Sequence, residues 1–165
     1  MSNIVNEPKN KLKLLQTIRG QLEQRAIWLA VLSEEAKKNG VDIADFGREA
    51  IFKCGCMQGK DLAKGSNNLK DLKKGLFSKG ARMVFEMDIK ESTEDKLSID
   101  FHYCPLVKGW QKMGLSDEEI ARLCDVAMCG DRGIASQFGA KLNLEKVIAK
   151  GDPICQIRFV RDEKK

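Results

Sequence analysis

Residues 96–110 read KLSIDFHYCPLVKGW, and within them one repeat gives way to another at Pro105. Leu97, Ile99, Phe101 and Tyr103 alternate with Ser98, Asp100, His102 and Cys104, the period of a half-buried strand. Just upstream, Met83, Phe85, Met87 and Ile89 alternate with Arg82, Glu86, Asp88 and Lys90 in ARMVFEMDIK, and ESTED joins the two runs. Two alternating runs with a short polar connection predict an antiparallel hairpin. Beyond Gly139, KLNLEKVIAKG and ICQIRFV, separated by Gly151-Asp152-Pro153, predict a second one.

Helical spacing surrounds these strands. From Glu7 to Lys38 the residues Leu12, Leu15, Ile18, Leu22, Ala26, Leu29 and Leu32 recur at three and four, and Asn39-Gly40 ends the run. Asp42 is placed to cap a second helix, weakened at its far end by Gly55 and Gly59, and Asn68 to cap a short third one through Leu76. After Pro105 a short helix covers LVKGWQKMG. Ser116 with Glu119 then forms a capping box at the head of SDEEIARLCDVAMCGDRGIASQF, which Gly130 and Gly133 should bend or break around Asp131. The order is helices, hairpin, helices, hairpin. It predicts an α+β fold: an antiparallel sheet of about four strands covered by helices, with N-terminal helices preceding the sheet. At 165 residues and 42% hydrophobic content the chain suits one domain, with a helical part at 1–78 and the hairpin–helices–hairpin core at 81–160. It contains no internal repeat or low-complexity segment, and RDEKK reads as a solvated tail.

The 29 Lys and Arg against 24 Asp and Glu leave a formal charge of +5. The lysines of KNKLKLL and KDLKKGLFSKG lie in helical stretches among acids, without the aromatic and Arg pattern of a base-stacking surface, and read as a solvated face, with a phosphate-binding patch as the rival reading. Nucleic acid is not an expected partner. No run has the length and apolarity of a bilayer span or a signal peptide, so a cytoplasmic protein that does not engage membranes is expected. Cys54, Cys56, Cys104, Cys124, Cys129 and Cys155 are then expected as reduced thiols, several of them packed as small hydrophobes.

His102 is the only histidine, and strand alternation would set it beside Cys104, where an imidazole can activate a thiol. The rival reading of His102 is a packed or surface residue. Cys124, Met128 and Asp131 share a helical face if the helix persists; Asp131 could orient an imidazole, bind a substrate amine or cap a helix segment. Cys54-Gly-Cys56 lacks metal-site spacing and has no second pair, so no metal or other cofactor is expected, convergence of His102 and the scattered cysteines on a metal being the rival reading. Cys155 alternates in phase with Ile157 and Phe159 and reads first as core.

HYCPLVKGW, LCDVAMCGDRG and AKGDPICQIRF, in that order, resemble the L-2-amino-thiazoline-4-carboxylic acid hydrolase-like family over roughly Ala81 to Phe159. The ending Gly-Asp-x-x-Cys-x-x-x-Phe is also similar to the 4-vinyl reductase type of small-ligand-binding domain. The first resemblance implies hydrolysis of a cyclic amidine-like C–N bond in a small-molecule substrate. The matching positions are His102, Cys104, Cys124, Asp131, Gly151, Asp152 and Cys155. The expected catalytic set is His102, Cys104, Cys124 and Asp131, with Tyr103, Trp110 and Cys155 toward the substrate. The second resemblance implies a binding or sensing domain without catalysis.

Overall fold

A computed structural model describes residues 2–161; the expected tail beyond Arg161 lies outside the described residues. Residues 2–12 run without regular structure as a strap ahead of helix α1 (Lys13–Lys38). Helices α2 (Ile43–Ala63), α3 (Leu69–Leu76) and α4 (Lys79–Phe85) follow, then strands β1 (Met87–Ser92) and β2 (Lys96–Phe101). Next come α5 (Pro105–Lys112), α6 (Asp117–Ala127), α7 (Cys129–Gln137), β3 (Ala140–Leu144) and β4 (Cys155–Arg161). The strands form one antiparallel sheet in the order β1-β2-β4-β3, with Ile99 of β2 opposite both Ile89 of β1 and Ile157 of β4. The fold is α+β, with helices ahead of the sheet.

Side chains fix several helix starts. The carboxylate of Asp42 accepts from the Ala44 N–H at 2.7 Å, and the Asn68 amide oxygen from the Lys70 N–H at 2.9 Å. Ser116 and Glu119 close both halves of the capping box, satisfying N–H groups that the first turn leaves open.

Several expectations are corrected. Helix α1 starts at Lys13, not near Glu7, because the backbone before it is held elsewhere: the Lys9 and Asn10 N–H groups donate to the Glu86 carboxylate. The buried side of α1 is Leu15, Arg19, Ala26 and Ala30, while Leu12, Ile18 and Leu32 stay exposed. The first half of ARMVFEMDIK is helix α4, not strand: Ser78 caps it through the Ala81 N–H, and Glu86, in a left-handed conformation (φ 51°), ends it. Its apolar alternation persists by coincidence across the helix–strand junction.

The glycines of α2 do not weaken it. Helix α2 runs unbroken to Ala63 because Gly55 and Gly59 form the surface on which α7 lies. A Cβ at Gly55 would sit 1.9 Å from the Gly130 carbonyl oxygen, and one at Gly133 would sit 2.2 Å from that of Phe52. The break between α6 and α7 falls at Met128, so Gly130 and Gly133 lie inside α7, and Asp131 in its first turn.

Apolar packing forms two clusters. One fills the space between the sheet and α3 and α7, with Leu69, Leu72, Phe77, Leu97, Ile99, Phe138 and Phe159. The other joins the strap, α1, α5, α6 and the 144–150 segment through Ile4, Ala26, Ala30, Trp110, Ile120, Leu123 and Ile148. Cys104, Cys124 and Cys155 pack against the second cluster.

Candidate functional site

Strand β2 ends at Phe101, and the chain bends at His102 before α5 begins. The bend stops the alternation that would have carried His102 and Cys104 along one strand face. The His102 ring turns to β1, with Nε2 3.0 Å from Asp88 Oδ2, and this pairing is the chief cause holding the Asp88 carboxyl below its ordinary range. His102 lines a surface groove with Lys9, Lys79, Arg82 and Glu86.

Cys104 is the N-cap residue of α5, and the strap grips it on both sides. Asn6 donates its side-chain N–H to the Cys104 carbonyl and accepts from the Cys104 N–H, each at 2.9 Å. Asn6 is 2% exposed, so this two-way clamp is shielded from water. It fixes the Cys104 backbone where the thiol meets the start of a helix. Burial pushes the Cys104 thiol up, while the N–H groups of Val107 and Leu106 pull it back, as a helix N-terminus does for a thiolate.

Cys124, Cys155 and Asp131 lie near enough to Cys104 for their charges to act on one another. Burial raises Cys124 well above its ordinary value, and Cys104, Cys155 and Asp131 add to the shift through their charges. Burial and then Cys104 push Cys155 up to about 12, against the Ile148 N–H, which donates to its sulfur at 3.2 Å. Burial lifts the Asp131 carboxyl to about 6, offset in part by Arg25 and Arg132. All four residues keep part of their surface accessible. The neighbouring Gly151-Asp152 is scaffolding: Gly151 takes φ 92°, and Asp152 accepts from the Val147 N–H at 2.8 Å, folding the loop that delivers Cys155.

These positions fall into three groups. Cys104, Cys124, Asp131 and Cys155 lie within electrostatic reach of one another, and Cys155 also packs against both core clusters. His102 faces Asp88. Tyr103 and Trp110 are walls of the core: Trp110 is fully buried with its indole N–H given to the Ala26 carbonyl, and Tyr103 lies under the Arg19 guanidinium, 4.5 Å from its ring centroid. The six cysteines are free thiols, and among the described residues no group of three or more His, Cys, Asp or Glu is arranged to hold a metal ion. Sequence reading missed Asn6 and Arg25, whose partners lie about 100 residues away along the chain. Isolated polar residues in a strap or helix leave no local signal.

The family model of L-2-amino-thiazoline-4-carboxylic acid hydrolase matches residues 19–159, a span holding Cys104, Cys124, Cys155 and Asp131. The chain belongs to this family. No curated protein matches it. Among solved structures, the trafficking protein particle complex subunit 3 from Naegleria fowleri, covalently bound to palmitic acid, is similar at a TM-score of 0.57 and 16% identity, covering 87% of this chain and 96% of that one. At that identity the likeness is one of fold. The thiazoline-carboxylate hydrolase match thus spans the helices that carry the site as well as the sheet.

Proposed function

We propose that this protein is a thiol-dependent hydrolase that opens a C–N bond of a small cyclic amidine such as a 2-amino-thiazoline carboxylate. The observation that carries the reading is the seating of Cys104 at the start of α5, within the electrostatic reach of the buried carboxyl of Asp131. All three site thiols are raised, so none is an appreciable thiolate at neutral pH, and a base is needed to activate one. Asp131 is a base near at hand, and a pKa close to the working pH suits it to accept and return a proton.

Cys104 is the preferred nucleophile because helix N–H groups favour its thiolate, whereas for Cys124 no such influence opposes burial. Asp131 takes the thiol proton as sulfur attacks the ring carbon between sulfur and nitrogen. It returns that proton to the ring nitrogen as the C–N bond breaks, leaving an adduct on Cys104. Water then adds to the adduct carbon, Asp131 accepting its proton, and Cys104 leaves as a thiol by taking that proton back. The net change is addition of one water. Arg25, exposed on α1 and felt by Asp131, is placed to meet the substrate carboxylate. His102, engaged with Asp88, has no part in this scheme.

Turnover of the thiazoline carboxylate by the wild type and its variants tests the reading. Cys104→Ser should lower kcat/KM by about 100-fold or more, the range of a lost nucleophile or its proton transfer. His102→Ala should leave it nearly unchanged. The wild-type profile should rise through a pH of about 6, the limb set by Asp131, and Asp131→Asn should remove that limb together with most of the activity. Undiminished turnover in both Cys104→Ser and Cys124→Ser would falsify the covalent scheme.

Stability should follow the same carboxyl with the opposite sense. A raised carboxyl favours the fold while protonated; that contribution is whole below its ordinary range and is lost as pH rises through about 6. Asp131→Asn should therefore unfold at a higher temperature than wild type above pH 6, checked by thermal melts across pH.

A second reading has its own support in the structural neighbour, which holds a fatty acid covalently. In that reading the thiol cluster binds an acyl group and does not turn over. Stoichiometric, hydroxylamine-labile acylation of Cys104 without product release would favour it.

A further inference from the structure

Helix α3, the start of α4 and the end of β1 enclose a groove of about 500 Å³. It is lined by Lys70, Lys73, Lys74, Lys79 and Arg82, with Phe77, Ser78 and Ser92 completing the wall. No carboxylate lines it. The sequence alone reads these lysines as a solvated face in preference to a phosphate-binding patch; the fold gathers them around one concavity.

Among the described residues they lack carboxylate partners, as Lys11, Lys37 and Lys150 also do, and their gathering around one concavity is what sets them apart. Elsewhere the cations are commonly neutralised: Arg48 and Arg132 by Asp125, Lys53 by Glu49, Lys112 by Glu23, Arg122 by Asp42, Arg158 by Asp100 and Arg161 by Asp95. Among the described residues none of the five groove cations enters an ion pair. The Arg82 Nε is buried and without a hydrogen-bond partner, although a guanidinium N–H shut away from water needs one. Five like charges on one concave wall repel one another and focus a positive potential into it. Such an arrangement is relieved by an anion of matching charge.

We propose that this groove binds a small soluble ligand carrying two or more phosphate groups. Four of the five cations are lysines, point charges that suit clustered phosphate oxygens, whereas planar carboxylates favour forked arginines. The concavity has the size of a small molecule. Its one large apolar residue, Phe77, is only 5% exposed and belongs to the core, so the rim lacks the exposed apolar side chains that a membrane-docking face would insert. The neighbouring groove shares Lys79 and Arg82 but carries Glu86 and Asp88, which makes it a poorer anion site.

Calorimetric titration of the full chain with inorganic tripolyphosphate at physiological salt tests this, beside flotation with vesicles containing phosphorylated phosphoinositide. The expected result is 1:1 binding that weakens steeply with salt, falls at least about tenfold in Lys73→Gln/Lys74→Gln/Lys79→Gln through lost charge-assisted contacts, and is unchanged in Lys37→Gln/Lys38→Gln/Lys150→Gln. No binding, or equal weakening in both triple variants, overturns the proposal, the latter showing attraction spread over the whole surface. Binding to vesicles with none to tripolyphosphate also overturns it, in favour of a lipid surface. Cys104→Ser should bind as wild type does, so the outcome is independent of the hydrolase reading.

Discussion

Arg19→Met should lower the free energy of unfolding by about 3–5 kcal/mol, the cost of removing one partner from a buried charged network. Arg19 is 2% exposed, and its guanidinium donates to the carbonyls of Val84 (2.8 Å), Asn10 (2.5 Å) and Met83 (3.3 Å) and to the Glu86 carboxylate (3.1 Å). Methionine refills the volume but donates to none of these acceptors, leaving Glu86 with the Lys9 and Asn10 N–H groups alone. Glu86 suffers most: burial alone would raise its carboxyl, and it is held below its ordinary range only by the Asn10 and Lys9 N–H groups and Arg19. The same guanidinium covers the Tyr103 ring, so one substitution loosens the strap, α4 and the approach to Cys104 together. Urea unfolding is the measurement. Arg19→Lys should recover little, since an ammonium lacks the planar fork that reaches several carbonyls at once. A loss below about 1 kcal/mol, the scale of an exposed pair, would show that water replaces the network.

Gly133→Ala should destabilise by about 3 kcal/mol or more, at the upper end of overpacking. The added methyl would meet the Phe52 carbonyl oxygen at 2.2 Å and the Cys56 nitrogen at 2.8 Å, both backbone atoms of α2. A flexible side chain could swing away; a helix backbone must move as a body, and α7 would have to lift with Asp131 on it. Gly20→Ala is the internal control. Gly20 is also inside a helix, with nothing within 4 Å of where an added methyl would sit, so alanine there should stabilise by about 0.5–1 kcal/mol. Equal effects at the two positions would mean that helix propensity, and not the α2–α7 approach, governs both.

What was legible in the sequence follows from how local each signal is. Asp42, Asn68 and Ser116 announce their helices because a cap and the N–H it satisfies are two or three residues apart. The exposed apolar row of α1 misleads: Leu12, Ile18 and Leu32 have helical spacing, yet the packed side uses Ala26 and Ala30, small enough for α5 to approach until a Cβ at Gly109 would lie 2.9 Å from the Glu23 carbonyl oxygen. Among the site residues, Cys104, Cys124, Asp131 and Cys155 stand out as reactive types at helix and strand ends. Their nearness depends on the β2–β4 pairing and on the α6–α7 break at Met128, which are tertiary facts. The direction of His102 turned on a one-residue bend that alternation does not encode.

The strap gives the molecule an order of assembly. Ser2 and Asn3 bond to Asp117, the Ile4 carbonyl receives the Gln111 amide, and Asn6 clasps Cys104. A ribosome delivers these first residues roughly a hundred positions before their partners. Helices α1 to α3 can form as they emerge, since their hydrogen bonds are local, but the strap must wait and close a loop of that length. Cys104 is therefore seated late in synthesis, once most of the hydrophobic framework around it exists, so its thiol is held in register only in a chain that has already largely folded.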